Sequence, residues 1–460
     1  MSGRDLLRTI SFLFIYTSKS ECCYIMRVLL ITGEEWNDAV YGNNVLTNWF
    51  EGFDAEFAQF YCSPGLPFNN ICNRYFQITD AQMVCSLYTG KRAGGVIQKP
   101  SQETEVNLSK VNAQRTGSYK WLKQLSLYMH TPMMMVRDAI WCWGRYDKKA
   151  IKQFVVDFKP DIIYCPRMVS PKLMRLERIV STSTNAPFVA FTADNEASLN
   201  CYSWSPLFWL RRLAIHHSFK KHVGLYRHYF MFSEDQAHEY HQQYGLPTSC
   251  LYKCGSFTDK FEPKAVNKPI RMIYAGRLYC NRWKTLAAIG GALEKLNQDK
   301  ERMILDVYTA DILTRKQQRV LGGFKHLHVH APITSSQLTE EYKKADIALH
   351  VESFDKEYRL ATRYSFSTKI IDLMASSCAI LAICWEKHAG YQYLKKHDAA
   401  LCVSDYEGIL PLLQRICERP SIMQEYAEKA WKCGIENHSR EKIQNQIRET
   451  FERVISKGIN

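Results

Sequence analysis

Long apolar runs are missing from this sequence, and so are two kinds of cysteine pattern. No hydrophobic stretch reaches the roughly 18 residues that a membrane-spanning helix needs. The 16 cysteines are scattered from Cys22 to Cys433 without the spacing of a disulfide framework or a zinc site. These absences argue against a helical membrane protein, a disulfide-rich secreted domain and a zinc-finger protein. They predict a reduced cytoplasmic protein with buried thiols.

A secretory signal is missing as well. Arg4 and Arg8 precede a short apolar stretch, but no small-residue cleavage site follows before Cys22. The first clear strand pattern begins directly after Met26. We therefore interpret residues 1–25 as an N-terminal extension and Met26 as the natural start.

Nucleic-acid-binding motifs are absent too, although the chain is strongly basic. Its 460 residues include 60 Lys and Arg against 46 Asp and Glu, a net charge of +14. Such a surplus favours polyanions or an anionic membrane surface as partners. Because no zinc-finger, RNP or basic-helix pattern accompanies the charge, we expect no nucleic acid. The length is sufficient for two domains, each with its own core.

Regular alternation of strand and helix patterns marks the second half of the chain. Short β-branched and apolar runs occur at six places: 270–275, 303–308, 327–330, 347–351, 379–383 and 401–403. Helical spacing of apolar residues lies between most of them, for example at 286–296 and 336–344. This α/β order predicts a doubly wound parallel sheet that is covered by helices on both faces.

The first half repeats this pattern less regularly. A helix is predicted at 45–53, and residues 90–118, which are polar and rich in small side chains, are predicted to form a mobile insertion. The predicted strands are 27–32, 57–61, 162–165, 188–192, 229–233 and 249–253.

These patterns predict two domains that face each other across a cleft. The first spans 26–252 and the second spans 269–435, with a linker at 253–268 and a C-terminal helix at 436–460. Ligands of doubly wound sheets bind at the carboxyl ends of the strands. We therefore expect the functional site in the cleft.

Three cations follow the opening strand of the second domain. Gly276 and Arg277 come directly after that strand, and Arg282 and Lys284 lie close behind. A glycine at a strand end lets a ligand approach the backbone, and arginine donates paired hydrogen bonds to phosphate. The segment therefore suits a diphosphate, although a turn with solvated charges would have the same pattern.

Hydroxyl groups and a lysine mark the start of a later helix. Ser367 and Thr368 stand at predicted capping positions, Lys369 follows, and Asp372 lies about one turn further on. A helix N-terminus attracts phosphate through its free N–H groups and its dipole. Asp372 would then face ribose hydroxyls rather than phosphate. The alternative is an ordinary capped helix with an acid in its first turn.

In this order the two segments resemble glycosyltransferase family 4 and its relatives. There the opening strand of the second domain ends in Gly-Arg, a basic residue follows five positions later, and a later helix reads Glu-Ala-Met-Ala-Ser-Gly. Here the run 372–376 reads Asp-Leu-Met-Ala-Ser. The resemblance implies the GT-B fold, two Rossmann-like domains across a cleft, with a nucleotide-diphosphate sugar as donor. It implies that Gly276, Arg277 and Arg282 bind the diphosphate and that Asp372 binds the ribose.

Two positions depart from the family pattern. Tyr364 stands where the family has an acid that contacts the donor sugar, and Ser377 replaces a glycine. Glu352 or Asp355, at the end of the preceding strand, could supply the missing catalytic acid. The donor-sugar contacts and the stereochemical outcome therefore stay open, although the resemblance favours retention.

The first domain resembles the family in outline. Gly42 and Asn43 lie in the loop after the first strand, where relatives place an acceptor and phosphate loop. Asp194 follows a later strand, where relatives keep a His-Asp pair beside the reacting sugar, but the histidine is absent here. Of that pair, the resemblance therefore carries over Asp194 alone as a catalytic residue.

The expected function is that of a hexosyltransferase-type glycosyltransferase. Cations and a helix N-terminus can stabilise the leaving diphosphate, so the reaction needs neither a metal nor a cofactor. We expect a glycan or lipid-linked glycan as acceptor, in cell-surface polysaccharide synthesis. A nucleotide-sugar 2-epimerase and an inactive scaffold subunit of the same fold are the alternatives.

Residues 119–146 combine Lys and Arg with Trp and Met. Lys120, Lys123 and Arg137 could meet anionic headgroups while tryptophans enter the boundary layer of the membrane. The segment therefore predicts peripheral contact with the inner face of a membrane. The alternative is that Trp141 and Trp143 belong to the core and the cations to an ordinary solvated face.

Overall fold

The computed structural model describes residues 25–39, 45–99 and 130–458. These residues form two sheets, mainly parallel, with helices packed on their faces. Five predicted features lie outside the described residues, in full or in part: the N-terminal extension, Gly42, Asn43, the insertion at 90–118 and the basic segment at 119–146.

The first sheet has eight strands in the order β4-β3-β2-β1-β5-β6-β7-β8, and its neighbours are parallel except for β3 and β4. Its strands are β1 (Met26–Thr32), β2 (Ala55–Tyr61), β3 (Arg74–Gln77), β4 (Gly95–Ile97), β5 (Ile162–Pro166), β6 (Phe188–Thr192), β7 (Tyr226–Met231) and β8 (Thr248–Cys250). Its helices are α1 (Val45–Phe50), α2 (Asp80–Tyr88), α3 (His130–Trp143), α4 (Lys148–Phe158), α5 (Pro171–Ser181), α6 (Pro206–His222) and α7 (Glu234–Tyr244).

The second sheet has six parallel strands in the order β11-β10-β9-β12-β13-β14. Its strands are β9 (Ile270–Ala275), β10 (Met303–Tyr308), β11 (Leu327–His330), β12 (Ile347–Val351), β13 (Ala379–Ile383) and β14 (Leu401–Val403). The remaining helices are α8 (Arg282–Leu296), α9 (Arg315–Leu321), α10 (Ser335–Lys344), α11 (Lys356–Ala361), α12 (Lys369–Met374), α13 (Ala389–Lys396), α14 (Ile409–Glu418), α15 (Ser421–His438) and α16 (Arg440–Gly458).

Strand order reverses at one point in each sheet. In the first sheet β1 lies between β2 and β5, and in the second β9 lies between β10 and β12. Connections leave such a switch point on opposite faces of the sheet, and a crevice opens beyond the carboxyl ends of the two strands. The fold therefore creates one crevice in each domain.

The six strands predicted in the second half are confirmed with their bounds, because each is a short apolar run enclosed by turns. Several predictions in the first half are corrected. The helix predicted at 45–53 ends at Phe50, the strand predicted at 249–253 spans Thr248–Cys250, and β3 was not predicted. The strand predicted at 229–233 begins at Tyr226, since the exposed Arg227 and the buried His228 interrupt the apolar pattern. Inside the predicted mobile insertion, β4 is an antiparallel edge strand whose order comes from pairing with β3.

The last helix returns from the second domain to the first. Gln446 of α16 donates from Nε2 to the carbonyl oxygen of Cys250 at 2.6 Å. Phe451 packs edge-on against Tyr164 of β5, with ring centroids 5.4 Å apart. The predicted C-terminal helix at 436–460 thus corresponds to the end of α15 and the whole of α16, which joins the two domains.

Membrane-related features were predicted at residues 119–146. Trp141 is 1% exposed and belongs to the core, whereas Trp143 is 73% exposed. Trp141 therefore fits the core alternative, Trp143 is available at the surface, and the membrane contact stays a prediction. Among the described residues, no helix is both long and apolar enough to cross a membrane.

Candidate functional site

A cleft of about 670 Å³ opens between the carboxyl ends of the two sheets. Both switch points contribute to its lining, through residues that follow β1, β5, β9 and β12. A groove of about 990 Å³ lies elsewhere, between α7 and α16. We take the cleft as the candidate site because it is where doubly wound sheets bind ligands.

The two segments singled out by the sequence meet in this cleft. Lys369, at the start of α12, donates from Nζ to the carbonyl oxygen of Ala275 at 3.0 Å. A Cβ on Gly276 would lie 2.6 Å from the same Nζ. Only a glycine therefore allows the lysine to lie this close to the end of β9.

Arg277 and Arg282 both line the cleft, and each is paired with a carboxylate. Arg277 donates from Nε to Asp311 Oδ1 at 3.0 Å, and its side chain is 69% exposed. Arg282 makes a two-pronged pair with Glu352, with Nε 2.9 Å from Oε2 and Nη2 2.6 Å from Oε1. The first arginine can swing to a ligand, whereas the second is held in place.

Glu352 was proposed from the sequence as an acid that contacts the donor sugar. Burial acts to raise its pKa, but the adjacent His388 and Arg282 outweigh burial and hold the pKa below its usual value. An ionised carboxylate that is engaged by a guanidinium does not donate a proton. The geometry therefore makes Glu352 the residue that positions Arg282, and its contact with the sugar stays a prediction.

Lys369 lies in an environment that disfavours its charge. Burial and the nearby Arg282 lower its pKa. Two cations that repel each other beside a strand end are stabilised by a bound anion. Gly276, Arg277, Arg282 and Lys369 together form what we call the basic wall of the cleft.

The hydroxyl groups at the start of α12 also line the cleft. Ser367 and Thr368 both do so, and Thr368 at the N-cap makes no side-chain capping bond. Asp372 lies further along the helix and away from the lining, where its Oδ1 accepts from Lys253 Nζ at 3.0 Å. Its side chain is half exposed, so ribose binding by Asp372 stays a prediction.

Tyr364, which replaces the family's first acid, contacts the first domain instead of the cleft. Its hydroxyl donates to Glu239 of α7, and the guanidinium of Arg363 lies 4.6 Å from its ring centroid. The next residue, Ser365, donates to Asp194 Oδ1 at 2.7 Å. The segment before α12 therefore joins the two domains at the edge of the cleft.

The first domain lines the cleft with three charged side chains among its described residues: Glu34, Arg167 and Asp194. Arg167 is buried and pairs with Glu177, with Nε 2.7 Å from Oε1. Glu34 and Asp194 therefore form an acidic wall opposite the basic one. The sequence analysis missed Glu34 and Arg167, although each lies two residues after the end of a predicted strand.

A buried carboxyl group stands next to the acidic wall. Burial, followed by the charge of Asp194, raises the pKa of Glu196 to about 7. Its Oε1 has no hydrogen-bond partner among the described residues. Glu196 therefore titrates near neutral pH, which is a property of groups that transfer protons.

One group of side chains in the described residues has the composition of a metal site. His350, Cys384 and His388 are buried, with possible ligand atoms within 4.8 Å of one another. His388 Nδ1 accepts from the Gly390 N–H at 3.1 Å, so the proton of the neutral ring lies on Nε2, which then has no lone pair for a cation. The group therefore does not fit a metal well, and the expectation of a metal-independent reaction stays a prediction.

No protein-family model matches this sequence, and no curated protein matches it either. Solved structures do resemble it. Sucrose-phosphate synthase from Thermosynechococcus elongatus superposes with a TM-score of 0.58 at 13% identity, covering 94% of this chain and 100% of the other.

Two further structures resemble the chain over nearly its whole length. One is an E. coli structure of trehalose-6-phosphate bound with UDP-2-fluoro glucose, at a TM-score of 0.55 and 10% identity, covering 93% and 99% of the two chains. The other is a UDP-forming alpha,alpha-trehalose-phosphate synthase from Burkholderia xenovorans in complex with glucose-6-phosphate, at 0.53 and 11%, covering 93% and 100%. These likenesses and the two doubly wound sheets show that the chain has the GT-B fold found in glycosyltransferases.

Proposed function

We propose that this chain is a glycosyltransferase that moves a hexose from a nucleotide-diphosphate sugar to a glycan or lipid-linked glycan. One observation carries the proposal. The basic wall brings Gly276, Arg277, Arg282 and Lys369 to the switch point of the second sheet, although up to 93 positions separate them in the chain. That is where a GT-B enzyme needs positive charge, because the diphosphate gains charge as it leaves.

The basic wall would stabilise the leaving group in two ways. Arg282 and Lys369 are preorganised, so they cost little rearrangement when a diphosphate binds. Arg277 is exposed and can exchange Asp311 for a phosphate oxygen. Ser367 and Thr368 would donate from their hydroxyls to the same group. These protein groups supply the stabilisation without a metal ion in our proposal.

Two of the similar structures involve UDP by their descriptions, so UDP sugars are the first donors to test. Asp372 would contact the ribose, and Asp194 would lie beside the reacting sugar. The loop with Gly42 and Asn43 would contact the acceptor. We propose retention of the anomeric configuration, in line with the resemblance to glycosyltransferase family 4.

We place the reaction in the cytoplasm, in cell-surface polysaccharide synthesis, with peripheral contact at the inner face of an anionic membrane. The net charge of +14 supports this contact. A lipid-linked acceptor would be held at that face while the nucleotide sugar enters the cleft from the aqueous side.

An inactive scaffold subunit is the second candidate. Its support is Tyr364, whose hydroxyl bonds Glu239 where the family has an acid for the donor sugar. A scaffold of this kind would keep the fold and leave nucleotide sugars intact. A 2-epimerase, the remaining alternative, would interconvert two nucleotide sugars and would transfer no sugar to an acceptor.

Nucleotide release from a panel of UDP sugars tests the proposal. The wild-type chain should release UDP from one donor, and Arg277→Ala should bind UDP more weakly by about 1.5–3 kcal/mol. Arg419→Ala is the matched control, because Arg419 is similarly exposed and paired but lies outside the cleft lining. If the wild-type chain binds UDP but leaves all the UDP sugars intact, the result would favour the scaffold. Equal UDP affinity in wild type and Arg277→Ala would overturn the assignment of Arg277.

A further inference from the structure

The solvent-facing side of α6 is apolar over the first part of the helix. Eight residues of this helix are exposed, and they fall on one face at helical spacing: Pro206, Leu207, Leu210, Leu213, Ala214, His217, Lys220 and Lys221. The first five are apolar, and the last three are cationic or titratable. The exposed fractions of the three leucines are 44%, 58% and 51%, and Trp204, just before the helix, is 88% exposed.

Acidic residues are absent from this part of the sequence. Residues 197–233 contain no Asp or Glu, while they contain Arg211, Arg212, Lys220, Lys221 and Arg227. Surface helices of globular proteins usually turn charged residues of both signs to water. The exposed face of α6 is therefore apolar at one end and positive at the other, with no negative charge between.

The neighbouring helix α3 also exposes large apolar side chains. Met133 and Val136 are exposed on it, and so is Trp143 at its end. The two helices are in contact, and Arg211 of α6 donates from Nε to Asp138 of α3 at 2.7 Å. We call the large exposed apolar side chains of both helices, together with Trp204 just before α6, the α3–α6 surface: Met133, Val136, Trp143, Trp204, Leu207, Leu210 and Leu213.

One segment of the chain connects this surface to the cleft. The segment that leads into α6 starts with Asp194, which lines the cleft, and ends with Trp204. In the same segment the ring of Tyr202 lies 5.1 Å from Lys356 Nζ of the second domain. The same segment therefore contributes to the lining of the cleft, to a contact with the second domain and to the α3–α6 surface.

We propose that the α3–α6 surface inserts into the interface of an anionic lipid bilayer. Trp and Leu side chains favour the boundary between headgroups and acyl chains, and the Lys220–Lys221 end would meet anionic headgroups. A second copy of the chain is a poorer occupant. In a symmetric dimer through this face the two cationic ends would add like charge, and 197–233 supply no acid to neutralise it.

The proposal deepens the membrane contact of the proposed function and assigns it to α6 rather than to residues 119–146 as a whole. It does not depend on transferase activity. The surface residues lie outside the lining of the cleft, so a change in them leaves nucleotide binding as a separate readout.

Vesicle sedimentation of the full chain tests the surface. The probes are phosphatidylcholine vesicles with and without phosphatidylglycerol. Wild type should sediment with the anionic vesicles, and salt should reduce that binding. Leu210→Asp and Lys220→Glu should each lower the partition coefficient by about tenfold. Ile312→Asp and Lys343→Glu are the matched controls, because both residues are exposed in the second domain.

Leu210→Ser, a milder change, guards against misfolding, and the melting temperature of each variant checks the fold. Equal sedimentation of wild type and the α6 variants would overturn the assignment to this surface while leaving the membrane contact in place. Wild type that stays in the supernatant with all vesicles would overturn both. A wild-type dimer that Leu210→Asp converts to a monomer would identify a second copy as the occupant. Arg277→Ala should bind vesicles as wild type does, which separates this inference from the nucleotide site.

Discussion

The second domain lines the cleft with Arg277, Arg282 and Lys369, and its lining acid Glu352 is paired with Arg282. The first domain lines the cleft with Glu34 and Asp194, and its lining arginine, Arg167, is paired with Glu177. The two walls thus carry opposite charge although both are built at the switch point of a doubly wound sheet. In the proposed function this difference would orient a nucleotide sugar, because its diphosphate would be attracted by the basic wall and repelled by the acidic one.

The largest expected effect comes from breaking the basic wall at Arg282. Arg282→Ala leaves Glu352 buried without its partner, which should lower the free energy of unfolding by about 3–5 kcal/mol. It should also weaken UDP binding by about 1.5–3 kcal/mol. Chemical denaturation and UDP titration measure the two effects. Adding Glu352→Gln should recover most of the stability but none of the UDP affinity, and recovery of both would contradict the role of Arg282.

Burial and the negative charge of the acidic wall should make the free energy of unfolding depend on pH, through the raised pKa of the neighbouring Glu196. The pKa of this carboxyl is about 7 in the folded protein, against 4.5 as its ordinary value. The folded state therefore binds the extra proton between those values, so stability falls as pH rises from about 4.5 to about 7. The total loss is at most about 3 kcal/mol.

Glu196→Gln should remove that loss, and the variant should be more stable than wild type above pH 7. Denaturant melts from pH 5 to pH 8, an interval chosen around the pKa of about 7, measure it. Glu428→Gln is the matched control, because Glu428 forms a surface ion pair with Lys432. Glu239→Gln is unsuitable, since Glu239 accepts a hydrogen bond from Tyr364. Parallel pH profiles for wild type and Glu196→Gln would show that Glu196 titrates normally.

A smaller effect should follow from crowding the end of β9. The Cβ of Gly276→Ala would lie 2.6 Å from Lys369 Nζ and would displace the lysine from the basic wall. We expect UDP affinity to fall by about 1–2 kcal/mol, in the range of one charge-assisted contact. Gly291→Ala is the matched control, because a Cβ there meets nothing within 4 Å. Unchanged UDP affinity in Gly276→Ala would mean that Lys369 does not touch the nucleotide.

The smallest effect is expected at Asp372, which lies at the margin of the basic wall. Asp372→Ala should weaken UDP binding by about 1 kcal/mol and leave deoxy-UDP binding almost unchanged, since only ribose offers both hydroxyls. Titrations of wild type and Asp372→Ala with UDP and deoxy-UDP show whether Asp372, an acid of the second domain, contacts the ribose. Equal losses for both nucleotides would reduce Asp372 to the partner of Lys253.

Much of the fold could be predicted because it rests on local patterns. The second sheet illustrates this, since each of its strands is a short apolar run between turns, and the bounds agree with the structure. The first sheet was harder. Its β7 contains a buried histidine that bonds Ser249 Oγ at 2.9 Å, and a pattern of hydrophobicity cannot show that a buried polar group has found a partner.

The candidate site was predicted as a set of residues but not as an arrangement. Gly276, Arg277, Arg282 and Lys369 were chosen for their chemistry and their positions at element ends, and they do line or adjoin one cleft. Glu352 was chosen, with Asp355 as the alternative, to supply a missing acid, and it is the partner of Arg282. Tyr364 was noted as a missing acid and makes a contact between domains.

The sequence by itself determined the strands of the second domain and the alternation of strands and helices in both domains, because strand and helix periods are local properties of the chain. It did not predict β3, and it assigned β4 to a mobile insertion. It also determined the lack of acid in 197–233. Only the tertiary structure decided that β12 lies beside β9, which places Glu352 against Arg282 across 70 positions. It also decided which side of α6 meets solvent. Apolar residues of this helix lie on all its sides, so the sequence pattern does not mark a buried face. The exposed face is decided by the elements that pack against the helix, and these are distant in the chain.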